Sequence, residues 1–298
     1  MKLVLAIDIG GSKMLSGIVN SSGEVIGEKK CPILKPDREL ILKEVISVCE
    51  TFIGKYDISG ISVSIPGLVD AKNGVWLEAV FSKVKDFPLG DILTSRFRMP
   101  VYLENDANNS AVGEKFFGHA RDYNDFIWLT VSNGCGAGIF LGGKLFTGPG
   151  GNAGELGHIH VTDENLPCPC GNYGCLEAAA AGPGISSRYK QLTGESISAK
   201  EIADKARAGN ETAIGVFRKT GAYIGKAVAA AVNVINVPLV VIGGGISGSY
   251  DLFKDDLEKT VQEQIYRTAN RSLLIKKTKL GYYASLIGAA ANAFDKEA

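Results

Sequence analysis

The sequence predicts an α/β protein built from two related halves, and three observations carry that prediction. Strand-like runs alternate with helical periodicity along most of the chain, the pattern of a layered α/β architecture. A strand, a glycine turn and a second strand open the chain and recur about one domain length later. The chain has 298 residues, roughly two domains at about 100–200 residues each. Hydrophobic residues make up 45% and charged residues 21%, enough to bury a sizeable core and exclude a disordered or fibrous chain.

The elements follow in order. Leu3–Ile9 reads as a strand, Gly10-Gly11-Ser12-Lys13 as its turn, and Met14–Val19 as the returning strand. Ser21-Ser22-Gly23 is a second turn, with Glu24–Glu28 extended beyond it. Arg38–Ile53 carries apolar residues at helical spacing, and Ile58–Ile65 is a strand that Pro66-Gly67 ends. Val101–Leu103 is a further strand, running through Glu104-Asn105-Asp106 into a helix that reaches Glu114–Phe117. The opening pattern then returns. Phe126–Val131 is β-rich, Ser132–Gly138 a glycine-rich turn, Ile139–Leu141 a strand and Gly142-Gly143 a turn. A glycine-rich loop at Thr147–Gly154 and a cysteine-rich segment come next. Helices are expected at Ile185–Leu192, Ala199–Ala208, Glu211–Asn236 and Tyr250–Tyr266, interleaved with strands at Leu239–Ile242 and Leu273–Lys276. We place a first domain at 1–118, completed by a C-terminal helix from about 287 to 298, and a second at 119–286.

Charge narrows the partners. Lys+Arg number 32 and Asp+Glu 32, so the basic surplus of a nucleic-acid binder is missing, and the run Lys276–Lys279 reads as a solvated face. The opening apolar run meets Asp8 too soon to form a secretory signal, and a cytoplasmic protein is expected. Ala227–Tyr250 is uncharged and long enough to span a bilayer. Asn233, Asn236, Pro238 and Gly243–Gly245 split it into a buried helix and a short strand, and no membrane partner is expected.

The glycine turns offer the first chemistry. Gly134-Cys135-Gly136-Ala137-Gly138 precedes a strand, where a dinucleotide fingerprint must open a helix. Gly138–Lys144 fails as a P-loop because Leu145 stands where Ser or Thr must follow the lysine. What remains is two hairpins whose glycines bare backbone N–H groups, able to hold phosphate oxygens or simply to turn the chain. Asp8 and Lys13 flank the first of them. Asp106, at a strand-to-helix junction, is either a general base or the N-cap of the helix, and position alone favours the cap.

The cysteines give the sharpest signal. Cys168, Cys170 and Cys175 lie in Cys-Pro-Cys-Gly-Asn-Tyr-Gly-Cys, with His158 and His160 just upstream. Three thiolates and one imidazole make a closed tetrahedral site for a structural Zn²⁺, and spacing leaves the choice of histidine open. Cys31, Cys49 and Cys135 read as small buried fillers.

Together these segments resemble the ROK family (repressors, open reading frames and kinases) of the actin–hexokinase superfamily. Asp8-Ile9-Gly10-Gly11-Ser12-Lys13 is similar to its first phosphate loop, with Ser12 where Thr is usual. Glu104-Asn105-Asp106-Ala107-Asn108 resembles its catalytic strand end. Gly154-Glu155-Leu156-Gly157-His158, followed by the cysteine segment and Leu176-Glu177, resembles its sugar and zinc signature, and Gly243-Gly244-Gly245 its turn near the adenosine.

The resemblance implies two actin-like (ribonuclease H-like) domains with ATP and sugar in the cleft between them. It implies Asp106 as the base, with Gly67, Asn105, Glu155, His158 and Glu177 around the sugar. Asp8 would lie near Mg²⁺, and Gly10, Gly11, Ser12, Lys13, Asn133, Gly134, Gly136, Gly244 and Gly245 around the nucleotide. His158, Cys168, Cys170 and Cys175 would hold the zinc. The activity implied is an ATP-dependent hexose kinase, glucokinase-like and acting at C6. An N-acylhexosamine kinase (for N-acetylmannosamine or N-acetylglucosamine) is the enzymatic alternative. A sugar-sensing regulator is the alternative of another class, though family repressors carry a helix-turn-helix headpiece and this sequence begins at the phosphate-loop strand. A homodimer is expected. Asn133 departs from the Thr usual in the second phosphate loop. Val80 and Val84 replace an Asn and a Trp that line the sugar pocket in family glucokinases.

Overall fold

The computed structural model describes residues 2–33, 37–79 and 82–296. The chain folds into two compact units. Unit 1 takes in Met1–Asp122, Lys144–Ala153 and Tyr282–Ala298, and unit 2 Tyr123–Gly143 and Gly154–Gly281. Residues 144–153, beyond the sequence boundary at 118, thus fall in the first unit.

Unit 1 begins with β1 (Leu3–Ile9), β2 (Lys13–Asn20), β3 (Val25–Pro32), α1 (Arg38–Ile53) and β4 (Gly60–Ile65). Next come β5 (Leu68–Asp70), β6 (Val75–Ala79), β7 (Val84–Phe87), α2 (Leu89–Phe97), β8 (Val101–Asn105) and α3 (Asp106–Phe117). The main sheet runs β3-β2-β1-β4-β8. β1 is its centre, and its two faces meet different partners, as alternating side chains must. Leu5, Ile7 and Ile9 pack in the cluster that holds Ile41, Val45, Val48 and Phe52 of α1. Val4 and Ala6 pack with Leu286, Ala289, Ala290 and Ala293 of the C-terminal helix Ala284–Lys296. α1 starts where the sequence places it because Asp37 caps it, its carboxylate accepting the Glu39 N–H at 3.0 Å.

The small antiparallel sheet β5-β6-β7 and α2 are elements the sequence reading left unassigned. Trp76 anchors that sheet, fully buried, its indole N–H donating to the Pro66 carbonyl at 2.9 Å. Val84 lies in the same apolar cluster, 2% exposed. The expectation that it lines a sugar pocket is corrected, because β7 turns that side chain into the core. Val80 falls outside the described residues.

Unit 2 holds β9 (Phe126–Val131) and β10 (Cys135–Leu141); β11 (Lys144–Leu145) follows in unit 1. Then come α4 (Leu176–Ala180), α5 (Gly182–Thr193), α6 (Ala199–Arg207), α7 (Glu211–Ile235), β12 (Leu239–Gly243), α8 (Lys254–Gln264) and β13 (Leu274–Lys277). Its strands lie in the order β10-β9-β12-β13. β10 and β9 are antiparallel, while β9, β12 and β13 are parallel. In unit 1, β2-β1-β4-β8 has the same order and the same directions. The recurrence read in the sequence is therefore a recurrence of sheet topology.

Two boundaries move. Cys135–Gly138, expected in a turn, pair with Trp128–Val131 as strand, so the hairpin turn is only Ser132–Gly134. The helix expected over Tyr250–Tyr266 is a 3-10 segment, Gly245–Leu252, followed by α8. Among the described residues no helix is long and apolar enough to cross a membrane.

Candidate functional site

In unit 1 the candidate residues gather at the carboxyl ends of adjacent parallel strands, where α/β sheets bind ligands. β1 ends in Asp8 and Ile9, β4 leads into Gly67, and β8 ends in Asn105 beside Asp106. The registers Asp8↔Ser64, Ser64↔Glu104 and Ile65↔Asn105 bring the three ends level. The first hairpin turn, Gly10–Ser12, is closed by the Gly10 N–H donating to the Lys13 carbonyl at 2.9 Å. Gly11, Ser12 and Lys13 are exposed. The Lys13 ammonium stands 4.2 Å from the centre of the Tyr282 ring, a cation–π contact that leaves the charge at the surface. Burial pushes the Asp8 carboxyl up to about 6, against a hydrogen bond from Ser285 Oγ (2.8 Å) and the charge of Lys13.

The cap of α3 belongs to Asn105. Its Oδ1 accepts the N–H groups of Ala107 (2.8 Å) and Asn108 (3.2 Å), while its Nδ2 donates to the Gly67 carbonyl at 3.0 Å. This corrects the reading of Asp106 as N-cap: Asp106 is the first helical residue, partly exposed. Asn105 is thereby largely committed to protein partners, with one amide hydrogen to spare. Behind it, the buried Glu104 accepts the Asn105 N–H and the Asn108 Nδ2, both at 3.0 Å.

In unit 2 the second hairpin turn, Ser132–Gly134, is braced from outside. The Cys135 N–H donates to Glu177 Oε2 at 3.0 Å, and the Gly182 N–H to the Ser132 carbonyl at 2.8 Å. Asn133 is exposed at its tip, Gly134 follows it, and Gly136 is a strand residue opposite Thr130. Gly244 lies against the end of β9. It has φ +81°, and a Cβ there would stand 2.4 Å from the Val131 carbonyl oxygen, so glycine is required. Gly245 opens the 3-10 segment beyond it.

Glu155 precedes the 3-10 turn Leu156–His158, which Gly154 joins to β10 by accepting the Ala137 N–H at 2.9 Å. His158 turns Nδ1 toward Cys168 Sγ (3.6 Å) and places Nε2 3.7 Å from Glu155 Oε2. Cys170 and Cys175 Sγ are 3.7 Å apart, and the donor atoms of His158, Cys168, Cys170 and Cys175 lie within 4.8 Å of one another.

Around a tetrahedral Zn²⁺, with Zn–S about 2.3 Å and Zn–N about 2.0–2.1 Å, neighbouring sulfurs sit about 3.8 Å apart and N and S about 3.6 Å. The donor set and its spacing fit zinc. His160 is excluded from it: its ring faces Asp163 and the Tyr173 carbonyl, each at 3.1 Å. The Asn172 N–H holds the Cys170 thiol down to about 7, whereas burial pushes the Cys168 thiol up to about 12 and raises that of Cys175.

Each unit thus assembles its own share of the expected residues. What the sequence missed is Ser285 against Asp8, since no local signal marks a partner 277 positions away.

The ROK family model matches residues 4–296. A glucokinase from Streptomyces coelicolor is 29% identical over 97% of this chain and 97% of its own. The xylose repressor of Caldicellulosiruptor bescii is 31% identical over 97% of this chain and 77% of its own. The crystal structure of a ROK family glucokinase from Streptomyces griseus, in complex with glucose and AMPPNP, superimposes with a TM-score of 0.89. It is 30% identical and covers 98% of this chain and 99% of that one.

Proposed function

The chain belongs to the ROK family, and from that premise we propose that it is an ATP-dependent sugar kinase acting on a hexose, at the C6 hydroxyl. The observation that carries this reading is the division of labour at the start of α3. Asn105 takes the cap, and the Asp106 carboxylate, whose Oδ1 shares the Ala107 N–H at 2.9 Å, stands partly exposed beside it at the end of β8.

In the reaction, Asp106 accepts the hydroxyl proton as the sugar oxygen attacks the γ-phosphorus and ADP leaves. Glu155, His158, Glu177, Asn105 and Gly67 hold sugar hydroxyls. Lys13 and the turn Gly10–Ser12 serve the phosphates. Asn133, Gly134, Gly136, Gly244 and Gly245 serve the nucleotide. Phosphoryl transfer asks a protein mainly for such positioning and charge. Mg²⁺, when bound near Asp8, neutralises phosphate charge. His158, Cys168, Cys170 and Cys175 would hold a zinc ion, which would fix the ring of His158, and Nε2 of that ring stands beside Glu155 for a sugar hydroxyl.

The test is a panel of glucose, mannose, fructose, allose and their N-acetylated relatives, screened for sugar-dependent ADP release. Turnover fastest on an N-acetylhexosamine selects the N-acylhexosamine kinase. The likeness to a repressor favours a second reading, a sugar-responsive regulator. Sugar binding without ADP release on any member of the panel selects it and removes the kinase.

A further inference from the structure

Five side chains of unit 1 form one line of hydrogen bonds that ends on Asp8. Asn292 Nδ2 donates to Asn109 Oδ1 at 3.1 Å, and Asn109 Nδ2 to Ser64 Oγ at 3.0 Å. Ser64 Oγ and Ser285 Oγ are 2.5 Å apart, and Ser285 Oγ donates to Asp8 Oδ1 at 2.8 Å. The direction of each bond follows from the chemistry of the last. A carboxylate only accepts, so the single Ser285 hydrogen goes to Asp8. The Ser285 oxygen must then accept from Ser64, whose oxygen accepts from Asn109. Every hydrogen points toward Asp8, and bonds aligned in this way polarise one another.

The line is built into the packing. Ser64 and Asn109 are fully buried and Asn292 is 7% exposed. They come from β4, α3 and the C-terminal helix, and Asp8 from β1. A Cβ on Gly288 would stand 1.6 Å from the Asn109 carbonyl oxygen, so the C-terminal helix lies hard against α3 beside the two asparagines. Apolar residues would fill this space without desolvating three polar side chains. What the polar line does, and an apolar filling cannot, is hold the one charged group at its end.

We propose that Ser285, backed by Ser64, Asn109 and Asn292, is a positioning residue that pins one oxygen of Asp8 and so commits the other to the cation accompanying the nucleotide phosphates. This rests on the kinase reading. Asp8 reaches the cation correctly oriented only while Ser285 Oγ occupies Oδ1, and Ser64 keeps the Ser285 hydroxyl from rotating away.

Calorimetric titration of the zinc-loaded protein with AMPPNP, with Mg²⁺ and again in EDTA, tests it without turnover. Losing a hydrogen bond to a charged group predicts that Ser285→Ala binds Mg-AMPPNP about tenfold more weakly. AMPPNP in EDTA binds that variant as it binds wild type. Ser285→Thr, which keeps the hydroxyl, stays within about twofold of wild type, and Ser64→Ala repeats the metal-specific loss if Ser285→Ala folds poorly. A wild type that binds Mg-AMPPNP, with Ser285→Ala and Ser64→Ala binding it equally well, overturns the proposal alone. A wild type that binds no Mg-AMPPNP overturns the kinase reading and this proposal with it.

Discussion

The two hairpin turns occupy equivalent places in sheets of the same order, yet they are held in different ways. Gly10–Ser12, between β1 and β2, has charges of its own: Asp8 before it and Lys13 after it. Its support comes from the C-terminal helix, through Ser285. Ser132–Gly134, between β9 and β10, has no charged residue in the turn and borrows one. Glu177, two residues beyond Cys175, accepts the Cys135 N–H, and Gly182 is bonded to Ser132. One topology has thus been equipped twice. The first turn is tuned by side chains that a distant helix holds, the second by the segment that follows the candidate zinc ligands. The first should therefore be indifferent to zinc, and the second should depend on it.

Removing the metal is the largest perturbation and the most direct way to break that contrast. Closed zinc sites in small domains hold the metal with an apparent free energy of about 10–16 kcal/mol, and that energy is folding energy for the loop around it. Purified protein is expected to contain one zinc per chain by elemental analysis, and Cys170→Ser to lose it. Hydrogen exchange should then show faster exchange at Cys135 and Gly182, with Ile9–Met14 unchanged. Equal loosening of both hairpins would abolish the distinction between them.

Asp106→Asn comes next. The amide keeps the shape of the side chain and cannot take a proton, so kcat should fall about 10²–10⁴-fold, or about 3–5 kcal/mol of barrier, with the sugar KM little changed. Asn105 caps α3, and the amide oxygen of the variant can still accept the Ala107 N–H that Asp106 accepts at 2.9 Å, so the start of the helix is kept. Hydrogen exchange at both hairpins should stay as in wild type, which separates loss of chemistry from loss of support.

These tests touch the part of the site that the sequence made legible. The candidate zinc ligands and the first turn are each local in sequence, so their pattern shows in a few neighbouring residues. β5, β6 and β7 were not legible, because strands of three to five residues scarcely display a period of two. The start of β10 was missed because glycine signals a turn by default, while pairing with β9 overrides that signal at Gly136 and Gly138. The capping role passed from Asp106 to its neighbour since both residue types cap well, and only backbone geometry separates them. The line from Asn292 to Asp8 joins four elements and exists only once they are packed.

Asp8 offers a pH test of the first hairpin. Its folded value of about 6 lies above the ordinary 3.8, so the folded protein holds a proton that the unfolded chain releases. The stability linked to this group is full below about pH 4 and is lost as pH rises through about 6. Asp8→Asn, measured without nucleotide or Mg²⁺, should therefore be more stable than wild type by about 3 kcal/mol at pH 8 and by about half that at pH 5. Urea unfolding at the two pH values checks this. A difference that does not shrink at the lower pH would mean that burial of the charge is not what strains this end of β1.

The smallest effect concerns the borrowed carboxylate, and it separates the two jobs given to Glu177. As a brace it needs only an acceptor for the Cys135 N–H, and glutamine supplies one through its amide oxygen. A neutral acceptor makes the weaker bond, so Glu177→Gln should lose only about 1 kcal/mol of stability, whereas Glu177→Ala, leaving the N–H unpaired, should lose about 1.5–3 kcal/mol. As a sugar ligand, the carboxylate accepts from a hydroxyl with its charge, and glutamine weakens that contact as well. The expected pattern is a Glu177→Gln variant with Cys135 exchange close to wild type and a raised sugar KM, beside a Glu177→Ala variant impaired in both. Zinc content should stay at one per chain in each, because neither change touches a ligand. Faster exchange at Cys135 in Glu177→Ala with the metal retained would place the carboxylate, and not the zinc alone, between the loop and the hairpin. Unchanged exchange there would mean that the second turn stands by itself, and the contrast between the two hairpins would reduce to the charges on the first.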